Sequence, residues 1–328
     1  MKRIISFLCK VSLLTISLIL IIFIGEILCR TYDKFVRGIP FTQSTKLLYD
    51  KQLGWKGKVV FGDPNTKKYK IFVIGDSFTN GCGVEEKYMY YNVIKKTLDS
   101  EMFVYGGLGY GTLQEYLVLD KYFDAIKPDL VILQVCANDF INNMWELESK
   151  SFINNNLMPR PYLINGRIEY RSPRFMGNCG LLLSSNSRLF YDLLALTYRF
   201  CFILAKEGIL HSVERDVEEK GMSFGNFNKA VLVTDELIVK IKSRTGKIPI
   251  VAFAVDATQP YLKQFRLILE KNNIEFIENV PNIIEQERTK KSYLKLKDST
   301  HWNKKGQQIC GEILTGELSK RGYGRRNR

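Results

Sequence analysis

Histidine is scarce in this chain. Only His211 and His301 occur, so chemistry that needs an imidazole has two candidates. The seven cysteines (Cys9, Cys29, Cys82, Cys136, Cys179, Cys201 and Cys310) include no CxxC pair and are odd in number, which excludes a cysteine metal cluster and a disulfide framework. There is no P-loop, no GxGxxG after the first strand and no HExxH, so neither cofactor nor metal is expected. Acidic residues fall short of basic ones, 34 against 48, which leaves a net charge of +14. Such an excess suits anionic lipid, nucleic acid or an acidic polymer. Without zinc-finger spacing, an RNP-like string or a basic heptad region, a nucleic-acid partner has only charge behind it and is not expected. Internal repeats and low-complexity tracts are also missing.

The composition is otherwise that of a globular protein with ample core material, 45% hydrophobic and 25% charged over 328 residues. Its least ordinary part is the N-terminus. From Ile4 to Leu28 the run is apolar, broken only by Lys10 and Glu26. That is enough to cross ~30 Å of hydrocarbon as a helix. No small-x-small cleavage site follows, so residues 1–30 are expected to be a single-pass membrane anchor rather than a cleaved signal peptide. Positive charge is similar on both sides, with Lys2, Arg3 and Lys10 before and Arg30, Lys34 and Arg37 after. The body is expected to lie outside the cytoplasm, in a periplasm or at the cell surface.

Residues 31–68 read as a linker and lead-in, and residues 69–328 as one domain. Three strands open that domain. KIFVIG, MFVYGG and DLVILQV are short apolar runs stopped by glycines or polar residues, and helical periodicity separates them over about 85–99 and 113–126. Strand–helix alternation of this kind predicts an α/β fold with a parallel sheet between helical layers. KIPIVAFAVD and IEFIEN supply two further strands, with helices over about 260–272 and after His301. Between about 140 and 228 the alternation breaks, which predicts an insertion. In it PYLINGRIEYR reads as a hairpin turning at Asn165-Gly166. Residues 187–206 read as an apolar helix whose Arg188, Asp192 and Arg199 argue against a second span.

In an open parallel sheet, function gathers at the carboxyl ends of the strands. Gly75-Asp76-Ser77-Phe78 follows the first strand, Gly109-Tyr110-Gly111-Thr112 the second and Asn138-Asp139 the third; Asp298-Ser299-Thr300-His301 precedes the last helix. These are the parts that acyl transfer needs. A serine hydroxyl is a weak nucleophile until a base removes its proton. A histidine does so near neutral pH, and a carboxylate fixes its tautomer. The tetrahedral oxyanion needs preorganised donors, which the N–H groups of Ser77 and Gly109 and the amide of Asn138 can supply.

The strings GDSF, GYGT, AND and DSTH, in this order across residues 71–315, resemble the successive blocks of the SGNH/GDSL hydrolase superfamily. The resemblance implies a flavodoxin-like three-layer α/β/α sandwich. It implies Ser77 as nucleophile, Asp298 and His301 as its acid–base partners, and Ser77, Gly109 and Asn138 as the oxyanion hole. Two positions depart from the pattern: Cys136 stands where the third block usually begins with glycine, and Val104 where an asparagine often precedes the second. The α/β-hydrolase GxSxG elbow is absent, which separates the chain from that fold. A leading span and a DxxHWN ending look most like bacterial members concerned with envelope polysaccharide. The expected function is therefore a serine esterase acting on an acylated small molecule or glycan through an acyl-serine. The alternatives are an O-acyltransferase of a polysaccharide and an idle glycan-binding scaffold. His211, Cys82, Cys136, Tyr88, Tyr90 and Tyr91 are expected to have surface or packing roles, Asp76 to orient its turn, and Trp302 either to line the site or to pack.

Overall fold

A computed structural model describes residues 2–37, 40–42, 49–153, 159–172, 177–289, 294–296 and 301–324. Helix α1 (Lys2–Tyr32) continues into a wider helical turn over Asp33–Arg37. Over Arg3–Val36 its most apolar stretch reaches a mean hydropathy of 2.6 and is not covered by the rest of the chain. By length and composition α1 can cross a membrane, a test that a signal sequence also meets.

The next strands, β1 (Tyr49–Asp50) and β2 (Gly54–Trp55), form a small antiparallel pair. The main sheet comprises β3 (Lys58–Phe61), β4 (Lys70–Gly75), β5 (Glu101–Gly106), β6 (Leu130–Val135), β9 (Ile250–Ala254) and β10 (Glu275–Phe276), in the spatial order β10-β9-β6-β4-β5-β3. Five of these strands are parallel, and β5-β4-β6-β9-β10 is the flavodoxin-like order 2-1-3-4-5 expected of this class. The sheet is nonetheless mixed rather than wholly parallel. β3 pairs antiparallel with β5, from Lys58↔Gly106 to Phe61↔Phe103. It lies inside the stretch that the sequence reads as lead-in. Its four residues alternate between half-buried and exposed, so no continuous apolar run announces an edge strand there.

β4, β5, β6 and β9 are announced by such runs because both faces of the sheet are covered there. Along β4, Phe72 and Ile74 meet one helical layer, while Ile71 and Val73 meet the other; all four are fully buried. The first layer holds α4 (Thr112–Ile126), α10 (Phe227–Thr245) and α11 (Tyr261–Lys271), and the second holds α3 (Tyr90–Leu98), α12 (Asn279–Thr289) and α13 (Lys304–Lys320). Three short helices sit at strand ends or just beyond: α2 (Ser77–Asn80), α5 (Asn138–Asn142) and α6 (Trp145–Glu148). The insertion contributes the hairpin β7 (Arg160–Ile164) and β8 (Arg167–Arg171), then α7 (Gly177–Asn186), α8 (Arg188–Lys206) and α9 (Val213–Lys220). The hairpin turns at Asn165-Gly166, both with positive φ, as a two-residue turn of this composition demands.

Candidate functional site

The order of the parallel strands reverses at β4, between its neighbours β5 and β6, and the site forms over the carboxyl ends of these three strands. β4 ends at Gly75, where a Cβ would fall 2.4 Å from Thr79 Oγ1 and 2.5 Å from Gln134 Oε1, so only glycine fits. The chain then turns sharply into α2. Asp76 caps this short helix, its Oδ1 accepting from the Phe78 N–H at 2.9 Å. Gln134 reaches up from β6, and its Oε1 accepts from the N–H groups of Asp76 (3.1 Å) and Thr79 (3.3 Å) and from the Thr79 hydroxyl (2.8 Å). These bonds leave the Ser77 N–H without an acceptor among the described residues, and they hold the Ser77 side chain on a rigid corner.

His301 Nε2 lies 2.9 Å from Ser77 Oγ, across 224 residues of chain. The histidine is fixed on both sides. Its carbonyl accepts from the Leu296 N–H and the Leu294 carbonyl accepts from the Asn303 N–H, each at 2.7 Å. Asn303 in turn caps α13, its Oδ1 accepting from the N–H groups of Lys305 and Gly306. Phe78, next to Ser77, packs against both His301 (ring centroids 5.2 Å apart) and Trp302 (4.9 Å). Trp302 is therefore a packing residue that joins the serine corner to the histidine segment, and it is almost fully buried. Gln307 makes a second joint between the same elements. Its Nε2 donates to the Phe78 carbonyl at 3.1 Å, and its Oε1 accepts from the Tyr90 N–H at 3.2 Å. Asp298 lies outside the described residues.

After β5 the chain makes a tight turn in which Gly109 has φ +66°, a conformation that glycine adopts without strain. The two peptide units around it are gripped from outside the turn. Trp55 Nε1 donates to the Leu108 carbonyl at 2.9 Å, and Arg160 Nη2 donates to the Gly109 carbonyl at 2.9 Å. The Leu108 carbonyl and the Gly109 N–H belong to one planar trans peptide and point in opposite directions. By holding the carbonyl outward, Trp55 turns the Gly109 N–H to the other side, where it has no acceptor among the described residues. Asn138 opens α5 after β6. One hydrogen of its amide goes to Asn142 Oδ1 at 2.6 Å, which fixes the side chain and leaves the second hydrogen for another acceptor. The three donors named from the sequence thus sit on the ends of adjacent strands.

Several residues of this assembly carry no signal in the sequence. Arg160 of β7 is buried with Glu148 of α6; its Nη1 donates to Glu148 Oε1 at 2.6 Å, and the Tyr162 hydroxyl donates to Glu148 Oε2 at 2.9 Å. Arg160 also lies over the Trp55 ring, 5.2 Å from its centroid. Below the corner, Asp76, Glu115 and Asp139 are buried together. Burial, followed by the repulsion of the neighbouring carboxyls, holds Glu115 and Asp139 well above the usual carboxylate range. Burial also raises Asp76, against the pull of the Phe78 N–H, Gln134 and His301. Asp139 Oδ2 accepts from the Cys136 N–H at 3.1 Å, so the non-glycine residue of the third block is accommodated by a side-chain cap.

The remaining candidates are structural. Cys136 is buried, which pushes its thiol well up. Cys82 is half-buried, with Sγ against the Ser77 carbonyl at 3.4 Å. Tyr90 and Tyr91 are buried in the core, whereas Tyr88 is half-buried, with Lys304 Nζ 3.6 Å from its ring centroid. His211 is exposed and bonded to the Lys150 carbonyl and to Asp216.

No family model matches the chain, and no curated protein matches it. Among solved structures it is similar to a lipase/acylhydrolase from Enterococcus faecalis at 14% identity and a TM-score of 0.41, over 77% of this chain and 96% of that one. It is similar to an acetyl xylan esterase at 14% identity and a TM-score of 0.43, over 76% and 99% of the two chains. A psychrotrophic esterase from Pseudoalteromonas sp., inhibited by monoethylphosphonate, is similar at 12% identity and a TM-score of 0.42, over 77% and 97%.

Proposed function

We propose that the chain is a membrane-anchored serine ester hydrolase of the SGNH/GDSL kind, on the strength of one contact above all, the 2.9 Å approach of His301 Nε2 to Ser77 Oγ. In this reading Ser77 Oγ attacks the acyl carbonyl while His301 Nε2 takes its proton. The carbonyl oxygen becomes an oxyanion that accepts from the N–H groups of Ser77 and Gly109 and from Asn138 Nδ2. The intermediate collapses, the bond to the alcohol breaks, and His301 returns the proton to the leaving oxygen. Water, activated by the same histidine, then adds to the acyl-serine and releases the acid. Asp298 orients the other ring nitrogen of His301. The anchor and the net charge of +14 favour an O-acylated glycan of the envelope or cell surface as substrate, with the body outside the cytoplasm.

The test is covalent labelling of the full-length protein with a fluorophosphonate, followed by mass spectrometry of the modified peptide. Label is expected on Ser77 and is expected to vanish in His301→Ala. A folded protein that takes no label would count against an activated serine.

Trp55 gives a second, finer test. Trp55→Phe keeps an aromatic ring but removes the donor to the Leu108 carbonyl, so the Gly109 N–H loses its fixed direction. Removal of a whole oxyanion donor costs about 10²–10³ in kcat, and misdirecting one is expected to cost about 10-fold. KM should stay nearly unchanged, because the ground-state carbonyl does not depend on this donor. A change confined to KM would mean that Trp55 contacts substrate instead.

A further inference from the structure

Helix α8 joins the anchor to the body, and beside the apolar residues that it turns inward it carries an apolar stripe that faces outward. Its first turn is seated on α1. Glu26, inside an otherwise apolar run, accepts from the Ser187 hydroxyl (2.7 Å) and from the N–H groups of Leu189 (2.9 Å) and Arg188 (3.0 Å), and Arg30 Nε donates to it at 2.6 Å. The helices approach closely at Gly25, where a Cβ would fall 3.0 Å from Leu189 Cδ2. Arg188 turns back to Asp33 at 2.6 Å. At the far end Ala205 is buried, and its carbonyl accepts from Arg215 Nη2 at 2.9 Å. The helix is therefore fixed at both ends.

Between these ends lie Leu193, Leu196, Phe200 and Ile203, spaced by three, four and three residues, which puts them on one stripe. They are 48, 61, 61 and 48% exposed, and Leu182 of the adjoining α7 is 66% exposed. Single exposed apolar side chains are ordinary on a soluble protein, but a continuous stripe over three turns marks a surface that something covers. A surface helix of a water-soluble body turns such a stripe toward its own core.

The covering partner is argued from position and charge. The stripe begins where α1 leaves its apolar run, so it continues a surface that already belongs to hydrocarbon. The exposed Arg199 and Lys206 flank it, where they suit anionic head groups. Arg188, Asp192 and Arg199, together with the two fixed ends, exclude α8 as a second span. We infer that α8, with Leu182 of α7, lies in the plane of the membrane interface with its Leu193–Ile203 stripe in the acyl boundary, as a second membrane contact that sets the height of the body. This rests on the reading of α1 as an anchor.

The test uses the full-length protein reconstituted in vesicles of phosphatidylcholine and phosphatidylglycerol, with and without brominated acyl chains. Phe200→Trp, and Leu196→Trp as a second variant, add a fluorophore at an exposed position that should not disturb the fold. The added emission, taken as the difference from wild type, is expected to fall by about half or more in brominated vesicles, at the shallow depth of an interfacial helix. Emission quenched by aqueous acrylamide and untouched by bromine would overturn the proposal. Emission shielded from both quenchers, with cross-linked dimers, would overturn it in favour of a second copy of the chain on the stripe. Resistance to alkaline carbonate reports α1 separately: a chain that leaves the vesicles refutes the anchor, and the proposal with it.

Discussion

Ser77→Ala is expected to lower kcat for hydrolysis of an aryl acetate by about 10⁴- to 10⁶-fold. The size follows from what the hydroxyl does. In the proposed reaction it is the atom that forms the acyl bond, and neither neighbouring thiol replaces it: Cys82 Sγ faces the Ser77 carbonyl, and burial pushes the Cys136 thiol toward its protonated form. The fold should be indifferent. The corner is held by Gly75, the Asp76 cap and Gln134, none of which uses the serine hydroxyl. The melting temperature should therefore move by less than ~2 °C. His301→Ala should cost a similar factor, and the double variant should be no worse than either single one, because the two residues work as a unit. Turnover near the wild-type level in Ser77→Ala would remove the nucleophile from the scheme.

Arg160→Met is expected to destabilise the protein by about 3–5 kcal/mol, since it leaves Glu148 buried without its ion-pair partner. Burial already pushes the Glu148 carboxyl up to about 7 against the pull of Arg160. Without the arginine it rises further. A carboxyl whose folded pKa exceeds its unfolded value binds the proton more tightly in the native state, so its contribution is present at low pH and lost as pH rises. The variant should therefore lose more stability at pH 8 than at pH 5, as read by thermal melts. Arg160→Met combined with Glu148→Leu removes both charges and should recover part of the stability, but not all, because Tyr162 and Asn142 then lose the Glu148 acceptor and the Gly109 carbonyl and Gln114 Oε1 lose the Arg160 donor. Activity should not recover with it, because the grip on the Gly109 carbonyl is still missing. If stability and kcat return together, Arg160 supports the fold alone.

What could be read from the sequence divides along physical lines. β4, β5 and β6 were legible because strands covered on both faces are continuous apolar runs, and the serine corner because Gly75 and Asp76 are each required by local geometry. The hairpin was legible because Asn165-Gly166 accepts two positive φ values in succession. β3 was not, since an edge strand of four residues half-buries only alternate side chains. Trp55, Arg160, Glu148 and Gln307 were also hidden. Trp55, Arg160 and Gln307 act through partners dozens to hundreds of residues away, and a charged residue that is buried in a pair, as Glu148 is with Arg160 twelve residues on, reads in sequence like one on the surface. The outward stripe of α8 shows the same limit from the other side. Periodicity finds the apolar face of a helix but does not say which way that face looks.

The distance in chain between Ser77 and His301 has a consequence for how activity is acquired. The proposed nucleophile, Gly109 and Asn138 all lie within the first 138 residues, while the proposed base arrives 224 residues after the serine. Contacts of such separation are slow to close, because the loop entropy is lost before the contact returns anything. On the proposed mechanism, a chain emerging from its N-terminus thus carries the hydroxyl and its oxyanion donors for most of its synthesis with no base to activate them. Partly made chains, and chains in which α13 has not docked through Gln307 and Trp302, are then expected to be inert. Activity would then report that the His301 segment has found its place.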